Sequence, residues 1–263
     1  MTLKDRTSAS FGFEWAKFSD IFAEYEENFL SYISPIDKSF FKDKIVLDAG
    51  CGAGRHAYFA AKWGAHVTAI DASNDAVIAA MQNFMDSDVF DVDITVGIAD
   101  IYEMPEDHKK HFDASFCIGV LHHLPDPQLG FNKIVETVKS GGTVSIWVYG
   151  KKDNKLAMYL YEPLRKITTR IPHKILYYMA LVPASVMQIS NWIHLPLFSY
   201  YARFPFKTKW NDSFDVFSAP SAKYYTLEEI RGWFETVGLK DIQVSYRMLD
   251  GKAKGIKGMG VKV

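Results

Sequence analysis

The stretch "VLDAGCGAGRHAYFAAKWGAHVTAIDAS", Val46 to Ser73, places Gly50, Gly52 and Gly54 at alternate positions between two aspartates, Asp48 and Asp71. An apolar run, Ile45 to Ala49, precedes the glycines, and a helical pattern from Arg55 to Trp63, stopped by Gly64, follows them. That order reads as strand, tight turn, helix. Without Cβ atoms, three glycines let the backbone turn sharply and let a ligand approach it closely. A dinucleotide fingerprint, G-x-G-x-x-G, would need its third glycine where Arg55 stands, so a dehydrogenase is disfavoured.

The rest of the chain alternates in the same way. Phe18, Ile21, Phe22, Tyr25, Phe29, Tyr32 and Ile33 recur at helical spacing and predict an amphipathic helix ahead of the first strand. Strands are expected at His66 to Ile70, Ile94 to Ile98, Phe112 to Ile118 and in "GTVSIWVYG". Between them, Val77, Ile78, Met81, Phe84 and Met85 mark one helix face, and Phe131, Ile134, Val135 and Val138 another. Units repeating at this interval argue for an α/β fold: a doubly wound, mostly parallel sheet with helices on both faces. Thr226 and Glu229 form a capping box for a helix that ends at Gly238. Two strand-like segments follow with no helix between them, which predicts an antiparallel hairpin at one sheet edge and so an antiparallel last strand.

At 263 residues and 48% hydrophobic, the chain can bury the core of a single domain spanning 1–263. One region breaks the rhythm: 151–222 is an insertion, and Ile175 to Ala202 contains no Asp, Glu, Lys or Arg. Lys and Arg total 30 against 31 for Asp and Glu, so no net field points to nucleic acid. Cys51 and Cys117 lie in separate apolar contexts, as thiols do in a reducing compartment. The first residues have no apolar core of signal-peptide length, and the expected location is cytoplasmic, with a peripheral membrane location as the alternative.

The G-x-G-x-G turn, preceded by Asp48 and followed by Asp71 in "AID", resembles the class I, Rossmann-like methyltransferases that use S-adenosylmethionine, of the small-molecule type. The resemblance covers most of Phe11 to Tyr149 and resumes at "FSAPSAKYYTLEEIRGWFETVGL". It implies that Asp48 orients the amino group of the methionine moiety, which lies across Ala49, Gly50, Gly52 and Gly54, with Cys51 filling space in the loop. Asp71, beside Ala72, would accept hydrogen bonds from both ribose hydroxyls. Asp100, in "GIADIY", would bind the adenine amino group, with Ala99 and Ile101 against the ring. In "FCIGVLHHLPDP" the Gly119 carbonyl would face the cofactor amine, and His122 and His123 would border the transferable methyl group.

The histidines are the candidate catalytic residues, either as general base or as shapers of a turn. A metal is not expected, since adjacent histidines point differently and no carboxylate or cysteine completes a set. Phe11, Phe13 and Trp15 are candidates for a lid over the cofactor. With Tyr149, Trp210, Asp212, Tyr224 and Tyr225, these residues are pocket candidates for the acceptor. Arg165, Lys166, Arg170, Lys174, Arg203, Lys207 and Lys209 flank the uncharged part of the insertion. The favoured expectation is a helical cap burying Tyr177, Tyr178, Met179, Val182, Ile189, Trp192, Leu195 and Phe198 over an apolar acceptor. The alternatives are a dimer surface and a monotopic membrane contact. The function expected is methyl transfer from S-adenosylmethionine to a small acceptor. A membrane-associated quinone or lipid methyltransferase and a noncatalytic cofactor-binding sensor or scaffold are the other readings.

Overall fold

A computed structural model of the chain describes residues 2–87, 89, 93–155, 157–249 and 251–263. Seven strands form one sheet: β1 (Ile45–Ala49), β2 (His66–Asp71), β3 (Ile94–Ile98), β4 (Phe112–Ile118), β5 (Val138–Val148), β6 (Lys240–Leu249) and β7 (Lys252–Val261). Their order is β3-β2-β1-β4-β5-β7-β6. All neighbouring pairs from β3 to β5 are parallel, and β7 runs antiparallel between β5 and β6. The fold is therefore the mixed doubly wound sheet that the strand and helix rhythm predicts. Its chain order reverses between β1 and β4, the switch point where ligands of such sheets bind.

The helices around the sheet are α1 (Leu3–Lys17), α2 (Glu24–Ile33), α3 (Arg55–Lys62), α4 (Asn74–Met85), α5 (Pro127–Thr137) and α10 (Leu227–Thr236). Phe29, Phe41, Phe59 and Phe84, with Val67 of β2, build the core on the α2 to α4 side, and Phe29 stacks on Trp63 at 5.5 Å. Phe131 and Ile134 of α5 and Ile230 and Phe234 of α10 fill the other side. Each fully buried aromatic there contributes about 1.5–3 kcal/mol. The capping box of α10 forms as its sequence dictates, with Thr226 and Glu229 satisfying each other's backbone N–H groups.

Two local expectations need correction. The helix expected from Phe18 begins at Glu24, because Phe18 ends α1 and is buried against Tyr177, Trp210 and Phe214, while its carbonyl accepts from the Arg55 guanidinium. On α4 the buried face is Ala76, Val77, Ala79, Ala80 and Phe84, and Ile78, Met81 and Met85 are exposed. Small alanines let α4 sit close to the sheet, which rotates the larger side chains outward.

Within 151–222 the chain forms a π-helical turn (Ala157–Tyr161), then α6 (Glu162–Thr168), α7 (His173–Met179), α8 (Leu181–Trp192), a 3-10 segment (Pro196–Arg203) and α9 (Phe206–Ser218). Phe18, Leu176, Ala180 and Phe214 form a third core that joins this layer to the end of α1.

Candidate active site

The site starts from the glycine loop. Gly50, Gly52 and Gly54 have φ of 82°, 54° and 80°, left-handed angles that side chains rarely adopt. The backbone N–H groups of Gly50 and Cys51 both donate to the Ile70 carbonyl, at 2.8 and 2.9 Å, which ties the loop to the end of β2. Space is as tight as conformation. A Cβ on Gly50 would come within 2.5 Å of Val120, and one on Gly52 within 2.6 Å of the Trp15 ring. Cys51 is buried, its thiol pushed well up by burial, which suits filling of space and not nucleophilic chemistry.

Asp48, next to last in β1, is almost wholly buried. One carboxylate oxygen accepts from the Ala57 backbone N–H at 3.1 Å, while the other, Oδ1, has no partner among the described residues. Burial, with the nearby charge of Asp71, raises its pKa well above the usual carboxylate range. An orphaned, buried, acceptor-only oxygen beside a glycine loop fits an ammonium group.

Asp71 at the end of β2 does a second job that its motif does not announce. Its two oxygens accept from Gly52 N–H at 3.0 Å and Ser73 N–H at 2.8 Å, so it clamps the loop and opens the following turn. Each oxygen keeps lone-pair capacity for a diol. Asp100 caps the one-turn helix Ile101–Glu103 by accepting from Tyr102 N–H at 2.8 Å, and its other oxygen pairs with Lys4 of α1. Ala72, Ala99 and Asp100 line a cavity of about 640 Å³ between the start of α1 and the loops after β2 and β3. That volume suits a nucleoside-sized ligand. Ile101 is buried beside it, and Gly119, with φ of 83°, follows β4.

Helix α1 closes over this row. From Lys4 at Asp100 it passes Gly12, where a Cβ would lie 2.3 Å from Ser73 Oγ, to Trp15 on Gly52. Phe11 faces the His123 ring at 4.9 Å. Phe13 turns away, packing on His173, Tyr177 and Phe214.

The two histidines share a one-turn helix, Leu121–His123, but differ in what they can do. His122 is fully buried, its ring 3.9 Å from that of Tyr149, with both nitrogens unpartnered among the described residues. Burial holds it neutral. His123 Nδ1 lies 2.6 Å from the Ser221 carbonyl, an acceptor only, so Nδ1 carries the proton and Nε2 the lone pair. Its pKa is also lowered by burial, with Asp215 and the Ser221 bond pulling the other way.

Beyond His123 the expected pocket residues Tyr149, Tyr224 and Asp212 meet polar groups that sequence reasoning missed, Glu14, Glu162, Arg165, Asn211 and Asp215. Tyr149 donates to Asp215 of α9 at 3.3 Å and stacks on Tyr224, whose hydroxyl bonds Glu162 at 3.2 Å. Arg165 pairs with Glu162 and donates to the Val216 carbonyl at 2.7 Å. Only 3% exposed, it is a wall of the site and not a flank of the insertion. Asn211 lies beside Glu14 of α1 and Asp212, and Asp212 accepts from Tyr201 at 2.8 Å. Burial raises the pKa of Asp212 to about 6 and that of Glu14 well above its ordinary value. Glu14 Oε2, Asn211 Oδ1 and Asp215 Oδ1 have no partner among the described residues. A lone Glu14 in "FGFEW" and the Asn-Asp-x-x-Asp spacing at 211–215 were the available signals.

Two pocket candidates lie elsewhere. Trp210 packs on Tyr177 and Phe18 and donates its indole N–H to the Tyr177 carbonyl at 2.7 Å, so it belongs to the core joining α1 to the insertion. Tyr225 packs on Trp233 in the α10 side of the core. Successive residues of an extended segment face opposite ways, and Tyr224 takes the site side.

A family profile described as a methyltransferase domain matches residues 46–142. The chain is 26% identical over 156 residues to a ubiquinone biosynthesis O-methyltransferase of Hydrogenovibrio crunogenus, covering 55% of this chain and 62% of that one. It is 33% identical over 99 residues to the enzyme of the same name from Alkalilimnicola ehrlichii, covering 38% and 39%. The chain thus spans less than two thirds of the length of these relatives. Among solved structures, magnesium protoporphyrin IX methyltransferase from Synechocystis with bound S-adenosylhomocysteine superposes with a TM-score of 0.57 at 15% identity, over 91% of this chain and 84% of that one. Residues 46–142 thus carry a methyltransferase domain, set in the Rossmann-like fold that the chain shares with this S-adenosylhomocysteine-bound structure.

Proposed function

We propose that the chain transfers the methyl group of S-adenosylmethionine to a hydroxyl on the aromatic ring of a small acceptor, held between α1, α9 and the turn after β4. One observation carries this reading: two half-sites meet at His123. On one side stands the glycine loop with the unpartnered oxygen of Asp48. On the other, the rings of Phe11 and Tyr149 adjoin His123, and the carboxylates of Glu14, Asp212 and Asp215 gather around Tyr149 and Asn211. Rings favour an aromatic body, and the unpartnered oxygens of Asn211 and Asp215 favour a ligand that brings hydroxyl donors.

S-adenosylmethionine supplies a methyl group already activated by its sulfonium, which leaves the chain to align the acceptor and exclude water. Asp48 would hold the ammonium, Asp71 the ribose hydroxyls, and Asp100 with Ile101 the adenine. Helix α1, laid along these residues, keeps water out. His123 Nε2 accepts the hydroxyl proton, and the charge of Asp215 favours the imidazolium that results. The names of the relatives, O-methyltransferases of ubiquinone biosynthesis, agree with a phenolic acceptor.

The test is S-adenosylhomocysteine formation with panels of phenols, carboxylic acids and amines. His123→Ala should lower turnover of a phenol about 100-fold or more and remove the acid limb of the pH-rate profile, with S-adenosylhomocysteine affinity unchanged. His122→Ala should change rate only as far as it changes stability. Full activity of His123→Ala, or turnover confined to carboxylic acids, would refute the base.

A further inference from the structure

The insertion does not bury the face expected of it. Tyr177 packs against Phe13, Phe18 and Trp210, but Tyr178, Met179, Val182, Ile189, Trp192 and Leu195 are exposed. Helices α7 and α8 are nearly one helix. Ala180 between them keeps right-handed helical angles, and Pro183 explains the interruption, since it cannot donate to the Met179 carbonyl. Along this pair Ile175, Tyr178, Met179, Val182, Val186, Ile189 and Ile193 are all exposed, at intervals of three or four residues apart from the adjacent pair 178–179. Helical geometry puts them in one stripe about 27 Å long, at a rise of 1.5 Å per residue. The opposite face, Leu176, Ala180 and Ala184, is buried in the protein. Trp192, 70% exposed, stands beside the stripe and lines a groove of about 490 Å³ with Ile189 and Phe206.

Charge identifies what covers this stripe. From 163 to 211 the sequence has no Asp or Glu, yet it has seven Lys and Arg. Arg203 pairs with Glu27 and Lys207 with Asp20, and Arg165 and Lys209 are buried. Lys166, Arg170 and Lys174, at the start of the stripe, are exposed, and no ion pair is recorded for them among the described residues. A twofold contact of this face with a second copy would bring cations against cations, with no acidic partner in the segment. An anionic lipid surface meets both features at once.

We infer that the outer face of α7 and α8 docks in the plane of an anionic lipid bilayer. Among the described residues no helix is long and apolar enough to cross a membrane, and a one-sided stripe calls for a helix lying in the interface. The docking does not depend on the acceptor assigned above.

The experiment is flotation of the full chain with vesicles of phosphatidylglycerol mixed with phosphatidylcholine and of phosphatidylcholine alone, at low and high salt. Wild type should float with the anionic vesicles, and salt should weaken it. Lys166→Gln, Arg170→Gln and Lys174→Gln together should weaken binding about 100-fold, at about 1 kcal/mol per basic residue near the surface. Val186→Glu with Ile193→Glu should weaken it at least about tenfold. Both variants change exposed residues outside the site, so unchanged S-adenosylhomocysteine affinity and melting temperature certify folding. Failure of wild type to float, equal binding to both vesicle types, or a stable dimer abolished by Val186→Glu in place of vesicle binding would overturn the inference.

Discussion

Asp48→Asn is expected to make the protein more stable and a worse cofactor binder at the same time. In the wild type a carboxylate is almost wholly buried, with one oxygen bonded to Ala57 N–H and the other unpartnered among the described residues. Asparagine has the same shape and can keep the Ala57 bond through its carbonyl, while removing the buried charge. An unsatisfied buried polar group costs about 1–3 kcal/mol and a charged one more, so a gain near 2 kcal/mol is expected at neutral pH. For a chain of this size that raises the melting temperature by about 4–8 °C. The loss of a charge-assisted hydrogen bond to the cofactor ammonium, about 1.5–3 kcal/mol, should weaken binding by about 10- to 150-fold. The pH dependence has a definite sign. Because the folded pKa of Asp48 lies above its unfolded value, the folded wild type takes up a proton more readily and gains stability as pH falls through that range. The advantage of the variant should therefore shrink toward acid. Melting curves at pH 7.5 and 5 and titration calorimetry with S-adenosylhomocysteine measure both halves. A less stable variant at pH 7.5, or a gap that does not narrow in acid, would refute the reasoning.

Asp71→Ala should weaken S-adenosylmethionine binding more than about 100-fold, through two lost charge-assisted bonds. It should also lower the melting temperature, because Gly52 and Ser73 N–H lose their acceptor; calorimetry and melting separate the two effects. Gly52→Ala must hold a Cβ at φ of 54° against the Trp15 ring, so hydrogen exchange along α1 should accelerate. Adding Trp15→Ala should relieve the clash and leave about 1–2 kcal/mol of left-handed strain. His56 is packed on Phe29, its pKa lowered to about 3 by burial and then by Arg55. Its folded value lies below the unfolded one, so it destabilises the fold as pH falls below about 6.5, by about 2 kcal/mol at pH 5. His56→Phe should reduce the loss of melting temperature between pH 7.5 and 5, and an unchanged loss would contradict the assignment.

What the sequence determined by itself was the part governed by neighbours along the chain. The glycine loop, its flanking strand and helix, the aspartates at strand ends and the Thr226–Glu229 cap follow from steric and hydrogen-bonding rules acting over a few residues. Tertiary structure decided everything that depends on which distant segments meet. Glu14, Asp215 and His123 lie in α1, α9 and the turn after β4, more than 90 residues apart, and only packing of the insertion against α1 brings them together. Tyr224 and Tyr225 read alike in the sequence, and the bridge of Tyr225 to Gly150, just past the end of β5, sent one to Tyr149 and the other to Trp233. The stripe on α7 and α8 is apolar by sequence, but whether an apolar face is buried depends on the shape of what it is offered. Leu176, Ala180 and Ala184 fit against the core and Val182, Val186 and Ile193 had nothing left to cover them.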